Sequence, residues 1–203
     1  MARYTGPKDK ISRRFGVPIF GPTKQLERRN FPPGQHGVKN VRRKHTDYGV
    51  ALIEKQKLKF QYGLLERQFR RYFEEAARRR GVTGTILLQL LETRLDNIVF
   101  RMGFGNSRAA ARQFVSHGHI TVNGISVDVS NYHPKPGDTI AVKDSTNSKQ
   151  LASRMVELTQ SHVIPDWLTV DVAKLKATMN RLPERSEIDA LCNEQLVVEL
   201  YSR

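Results

Sequence analysis

Cysteine is nearly missing from this chain: Cys192 is the only one among 203 residues. A single thiol excludes an internal disulfide and any metal site built on cysteines, and it fits a reducing, intracellular compartment. With the acids Asp189 and Glu194 beside it, Cys192 sits where a thiolate is disfavoured, so it reads as a packing residue or a chance surface thiol. Long apolar runs are also lacking. No stretch of about eighteen apolar residues occurs, so no transmembrane helix is predicted. The start, Met1-Ala2-Arg3-Tyr4, has no apolar segment of the signal-peptide type, and the residues after it are neither serine-rich nor clearly amphipathic as in a transit peptide. Neither a phosphate-binding glycine loop followed by Lys-Ser or Lys-Thr nor a Gly-x-Gly-x-x-Gly pattern is present, and Gly103-Phe104-Gly105 is only a fragment of one. His117 and His119 form a pair without a third ligand in sequence reach, and Glu184, Glu187 and Asp189 have no acid-base partner. No catalytic residue, cofactor, metal or small-molecule substrate is predicted.

Acidic residues are scarce in one part of the chain only. Residues 1–81 hold 21 Lys and Arg against 7 Asp and Glu, whereas residues 82–203 hold 13 of each. The formal net charge of +14 therefore lies entirely in the first two-fifths. Such a field attracts a polyanion, either nucleic acid or an anionic membrane. The membrane reading needs an amphipathic helix with exposed apolar residues, and residues 1–45 are too rich in Gly and Pro for one. Gly6-Pro7, Gly16, Pro18, Gly21-Pro22 and Pro32-Pro33-Gly34 instead predict an arm with few regular elements. Arg3, Lys8, Lys10, Arg13, Arg14, Lys24, Arg28, Arg29, Arg42, Arg43 and Lys44 are spaced along it like phosphate contacts. Tyr4, Phe15 and Phe31 lie between them for stacking or packing.

Two helices are predicted next. The first covers residues 47–63, opened by Asp47, with Val50, Ile53 and Phe60 as a rough stripe and Lys55, Lys57 and Lys59 projecting from several sides. The second covers 64–80, with Leu65, Phe69, Tyr72, Phe73 and Ala76 as its core stripe. Arg67, Arg70, Arg71, Arg78 and Arg79 dominate its other faces, partly offset by Glu66, Glu74 and Glu75. Thr83 or Thr85 starts a third helix bearing Leu87, Leu88 and Leu91.

The stretch 91–142 is the most regular. Leu95, Ile98, Val99 and Met102 fall at i, i+3, i+4 and i+7, the stripe of an amphipathic helix that Gly103 and Gly105 end. Asn106 or Ser107 caps a second helix over 108–117, where Arg108 and Arg112 share a face. Ile120 and Val122 then alternate with polar residues, Asn123-Gly124 supplies a two-residue hairpin turn, and Ile125, Val127 and Val129 alternate out again. A last strand over 139–142 closes a small sheet. This helix-helix-hairpin carries Arg94, Arg101, Arg108 and Arg112 together with Ser116-His117-Gly118-His119-Ile120-Thr121-Val122-Asn123-Gly124. It resembles the RNA-binding module named after ribosomal protein S-four. His117 and His119 then lie at the mouth of the RNA surface or pack in the helix-hairpin turn.

The resemblance to the small-subunit ribosomal protein S-four family, of bacterial or plastid type, extends over essentially the whole chain. It runs from Ala2-Arg3-Tyr4 through Pro32-Pro33-Gly34-Gln35-His36-Gly37, Asp47-Tyr48-Gly49-Val50, Leu65-Glu66-Arg67-Gln68-Phe69-Arg70 and Arg94-Leu95-Asp96-Asn97 to Pro183-Glu184-Arg185-Ser186 and Val198-Glu199-Leu200-Tyr201-Ser202. It implies direct binding to small-subunit (16S-type) rRNA at a multi-helix junction of its 5′ domain, and early arrival in assembly of the subunit body. It also implies an interface with ribosomal protein S-five that bears on translational accuracy, and contact with messenger RNA near the path by which it enters. The location implied is the ribosome, in a bacterial cytoplasm or a plastid stroma. Some family members carry an N-terminal cysteine cluster, but here its first two positions are Asp9 and Ser12, so the arm is expected to fold against RNA instead. The same module is attached to RNA-modifying enzymes and RNA chaperones, which is the alternative reading. An enzyme needs a catalytic domain beside the module, and the flanks here show none.

Beyond residue 142, a helix is expected from 148 to about 160, with Leu151, Met155 and Leu158 as its stripe. Trp167 reads as a core anchor rather than a stacking residue, because its neighbours are uncharged or acidic. Leu168, Val170 and Val172 alternate like a strand. The end, 195–201, is apolar and β-leaning and needs a core to cover it. The fold expected is α+β: a basic extended arm (1–45), a mostly helical domain (46–91) and an RNA-binding domain (92–174) with its module at 92–142. The resemblance implies that about 175–203 joins the helical domain and makes it discontinuous.

Overall fold

The computed structural model describes residues 4–40, 44–159 and 163–202. The chain divides into two compact units, residues 1–87 with 189–203 and residues 88–188.

The first unit is helical. Helix α4 (Asp47–Gln61) is capped by Thr46, whose hydroxyl accepts the Gly49 amide at 3.2 Å, one residue before the cap expected at Asp47. Helix α5 (Glu66–Arg78) buries Phe69, Tyr72 and Ala76, spaced at i, i+3 and i+7, and leaves its arginines outside. The arm is more regular than its Gly and Pro content predicts. It contains α1 (Lys8–Phe15), α2 (Lys24–Arg28) and α3 (Gly37–Asn40). The prolines fall between these elements rather than inside them, and α1 has Asp9 in its first turn and Arg13 and Arg14 in its last, matching the helix dipole. Ile11 and Ile19 are buried, which gives the arm an apolar anchor.

The C-terminal residues return to this unit as helix α10 (Glu194–Ser202), which packs along α4. The β-branched pair Val197 and Val198 favours a strand locally, but packing overrides that preference: Val197 is fully buried and Tyr201, one turn on, stacks on Phe73 with ring centroids 4.7 Å apart. Gln61 holds the returning chain, donating to the Asp189 carbonyl at 2.8 Å and accepting from the Leu191 amide at 3.2 Å.

The chain passes into the second unit within α6 (Thr83–Glu92). There α7 (Leu95–Arg101) packs against α8 (Arg108–Ser116). Gly105 lies so close to α8 that a Cβ on it would stand 2.8 Å from the Ala111 nitrogen, so only glycine fits. Strands β1 (Ile120–Val122) and β2 (Ile125–Ser126) form the hairpin, with Asn123 and Gly124 both at positive φ as a two-residue turn requires. Strand β3 (Thr139–Val142) pairs with β1, placing Ile120 opposite Val142. Helix α9 (Thr146–Leu158) is capped by Ser145.

Strands β4 (Leu168–Asp171) and β5 (Lys176–Met179) complete an antiparallel sheet of order β2-β1-β3-β5-β4. The pairing of β5 with both β3 and β4 keeps residues 176–179 in this sheet, and the chain rejoins the helical unit at Asp189. Ile120, Val122, Ile140, Ala177, Met179 and Leu168 point to one side of it, into a core shared with Ile98, Val99, Phe104, Phe114 and Trp167. The fold is α+β, and Trp167 is its core anchor, 1 % exposed.

Candidate nucleic-acid interface

The arginines of the helix-helix-hairpin stand on a buried polar layer. Arg94, directly before α7, is wholly enclosed and grips Asp96 with two bonds, Nε to Oδ1 at 3.0 Å and Nη2 to Oδ2 at 2.7 Å. Glu92 is equally enclosed and receives Arg101 at 2.8 and 3.2 Å. Asn97 donates to the Glu92 carboxylate and backbone carbonyl, and its own Oδ1 accepts Arg108 Nε at 2.8 Å. The Arg108 guanidinium lies 4.7 Å from the centre of the Phe100 ring. Arg112 Nε is 3.9 Å from Asp96. The loop after β2 closes this layer, since the carbonyls of Tyr132 and Ser130 accept the first amides of α7. Arg108 and Arg112 are the half-buried upper tier, on the face of α8 that Ser107 opens by capping the Ala110 amide.

At the other end of α8, His117 is exposed and His119 is half-buried. His119 stacks on Phe114 at 4.9 Å, and its Nδ1 lies 2.8 Å from the hydroxyl of the buried Ser148. Burial, followed by the positive fields of His117 and Lys143, holds the His119 imidazole below its usual pKa. The two rings are 6.1 Å apart, and among the described residues no group of three or more potential metal ligands occurs.

In the helical unit, cations gather in two ways. One set is bound inward. Lys55 is buried and meets Glu66 at 2.7 Å, Lys59 reaches the same carboxylate at 3.2 Å, and Lys57 pairs with Glu54 at 2.6 Å. Burial alone would raise the Glu66 pKa, but bonds from Lys55, Tyr201 and Lys59 and the charge of Lys55 bring it down to about 2. Arg13 donates its Nε–H to the carbonyls of Arg29 and Phe31, each at 3.2 Å, with its guanidinium 5.0 Å from the Phe31 ring centre. The other set faces water. Lys8, Lys10, Arg14 and Lys44 are exposed on the arm, and Arg67, Arg70 and Arg71 on α5. Arg67, Arg71 and Arg78 line up along α5, while Arg70 is paired with Glu74 and Arg79 with Glu75. Tyr4 packs on Phe60 in a T-shaped pair, centroids 5.4 Å apart, so the arm is anchored on α4. Arg3, Arg42 and Arg43 lie outside the described residues.

Comparison with known proteins assigns the chain. Residues 3–92 match the family described as the ribosomal protein S4/S9 N-terminal domain, and residues 93–140 match the S4 domain. Over the full length of both chains, it is 62% identical to the small ribosomal subunit protein uS4 of Akkermansia muciniphila. It is 58% identical to that of Opitutus terrae and 50% identical to that of Geobacillus stearothermophilus, again over the whole of each chain. The chain belongs to the uS4 family. The matched S4 domain begins two residues before α7 and ends within β3, so it contains the layered arginines and the hairpin.

Placed on this uS4 fold, the cations expected at the surface fall into three groups. Lys55, Arg94 and Arg101 sit on enclosed or ion-paired positions and hold the two units' interiors. Arg108, Arg112, His117 and His119 form the polar face of the S4 domain. The arm and α5 supply the dispersed positive field. Glu92, Asp96 and Asn97, which hold Arg101, Arg94 and Arg108 in turn, are not among the site residues expected from the sequence. Their signal was the polar cluster Glu92-Thr93-Arg94-x-Asp96-Asn97 interrupting an otherwise apolar helical run.

Proposed function

We propose that this uS4-family protein is a structural component of the small ribosomal subunit that binds 16S-type rRNA directly. The full-length match to small ribosomal subunit proteins carries this reading, and the layered arginines of the S4 domain give it a mechanism. Folded RNA junctions are recognised through phosphates, 2′-hydroxyls and unstacked bases, because the A-form major groove is too narrow to read. In this reading the arm and α5 neutralise converging strands whose repulsion would keep a junction open. The α8 face with Arg108, Arg112 and His117 then selects its shape. The target is the 5′-domain junction of the rRNA, and closing it early nucleates the subunit body. Ribosomal protein S-five and messenger RNA near the path by which it enters are the further partners, through which the protein contributes to translational accuracy. The working location is a ribosome in the cytoplasm. The alternative of an RNA-modifying enzyme or chaperone has no support from the relatives, which are ribosomal proteins over their whole length.

Binding of the full-length protein to a 5′-domain transcript, across a salt series and against a length-matched duplex, tests this. A tight, selective complex with a steep negative slope of log affinity against log salt is expected. Replacing Lys8, Lys10, Arg14 and Lys44 by Gln leaves the Tyr4 anchor in place and should flatten that slope by about 3, at about 0.7 to 0.9 for each phosphate no longer neutralised. Equal affinity for junction and duplex would reduce the protein to a nonspecific polycation and overturn the reading.

A further inference from the structure

We infer that Asn97, which lies beneath the RNA-facing surface, is the residue that sets the position of Arg108 before RNA arrives. This rests on the proposal that the α8 face binds rRNA. The side chain of Asn97 is 2 % exposed and has one orientation open to it. Its amide nitrogen meets the carbonyl and the carboxylate of Glu92, which only accept hydrogen bonds, so its oxygen must face the other way, toward Arg108. Glu92 is itself fixed, since its two oxygens hold Arg101 through two bonds. A chain of defined polarity therefore runs from a buried carboxylate, through an amide that cannot flip, to the Nε–H of Arg108 at 2.8 Å.

The second constraint on Arg108 is the Phe100 ring, 4.7 Å from its guanidinium carbon. A bond at Nε and a cation–π contact with an aromatic ring together restrict where the guanidinium can lie. Arginine side chains otherwise lose much rotamer freedom on binding, so ordering beforehand raises affinity without any new bond to the ligand. Lysine can reproduce the charge at this position but not the Nε bond or the guanidinium's planar fork. Asn97 is accordingly a positioning residue that acts through Arg108.

The test is a double-mutant cycle in the full-length protein, read as affinity for the 5′-domain transcript. Asn97→Ala should weaken binding several-fold, Arg108→Ala at least as much, and the double variant no more than Arg108→Ala alone. In the RNA-free protein, a protected Arg108 Nε–H resonance should be present in wild type and absent in Asn97→Ala. Because Asn97→Ala also leaves Glu92 one donor short, Arg108→Lys is the companion variant, since it removes the bond to Asn97 Oδ1 while Glu92 keeps its donors from Asn97 and Arg101. It should lose nearly as much affinity as Arg108→Ala. Full additivity of the two alanine variants, or wild-type affinity in Arg108→Lys, overturns the positioning role while leaving the rRNA reading in place. Wild-type affinity in Arg108→Ala would instead remove Arg108 from the RNA face and overturn both the inference and that part of the proposed function.

Discussion

Arg94 shows how little the charge of a residue says about where that charge acts. Its guanidinium is shut off from water, and its bidentate grip on Asp96 is what makes that burial tolerable. Arg94→Ala would leave the Asp96 carboxylate enclosed without its main partner. Breaking a buried pair in this way costs about 3–5 kcal/mol. Arg112, 3.9 Å from the same carboxylate, can close part of the gap, so the lower end, about 3 kcal/mol, is expected from urea unfolding midpoints. The salt slope of RNA binding by the folded variant should not change, because an enclosed cation releases no counterion from a phosphate. In the sequence, Arg94, Arg101 and Lys55 look like Arg108 and Arg112. Each of the three meets a carboxylate, Asp96 two residues away, Glu92 nine away and Glu66 eleven away, and only the fold brings those pairs together.

At the level of elements, the parts with a local code were readable and the parts held by packing alone were not. The α7–α8 pair and its hairpin announce themselves through a 3.6-residue stripe, a serine cap and an Asn-Gly turn. Strand β5 has no such code: its sequence, Lys-Ala-Thr-Met, becomes a strand because β3 and β4 flank it. Helix α10 is the sharper case, since two adjacent valines pointed to a strand and the packing surface of α4 made a helix. The junction of α10 with α5 also carries a pH dependence. Tyr201 donates to Glu66 Oε1 at 2.7 Å, and burial, with that bond and the Glu66 charge, drives the phenol's pKa up, so it remains a donor at every working pH. Glu66 is the titrating partner. Its pKa is about 2 in the fold against an ordinary 4.5, so its charged form stabilises the fold fully above pH 4.5. That contribution fades as pH falls from 4.5 through about 2. Acid unfolding followed by far-UV circular dichroism should therefore show a shallower loss of stability over this window in Glu66→Gln than in wild type. The neutral variant should start from a lower stability at pH 7, and equal pH dependence in the two proteins would mean that other carboxylates dominate.

Across the whole molecule, net charge and ordered donors lie in different parts of the chain. Residues 1–87 with 189–203 carry a net charge of +12, with 22 Lys and Arg against 10 acids, while residues 88–188 carry +2, with 12 against 10. The unit with the S4 domain thus has almost no net field, and its arginines are ordered by acids placed beneath them. The helical unit has a large field from side chains on α5 and the arm that mostly point into water. A long-range field raises association rate and affinity for any polyanion, whereas ordered donors discriminate between shapes. Two sets of substitutions should separate these effects. Replacing Arg67, Arg71 and Arg78 of α5, with the exposed Arg80 just beyond its end, by Gln should lower affinity for junction and duplex alike and flatten the salt slope by about 3, the value for roughly four phosphates left unneutralised. Replacing Arg108 and Arg112 should flatten it by no more than about 1.5, while the ratio of junction to duplex affinity collapses. Titrations of both variants against both RNAs over the same salt series decide the matter. If the α5 variant loses selectivity and the α8 variant does not, shape is read by the helical unit, and the division of labour runs the other way.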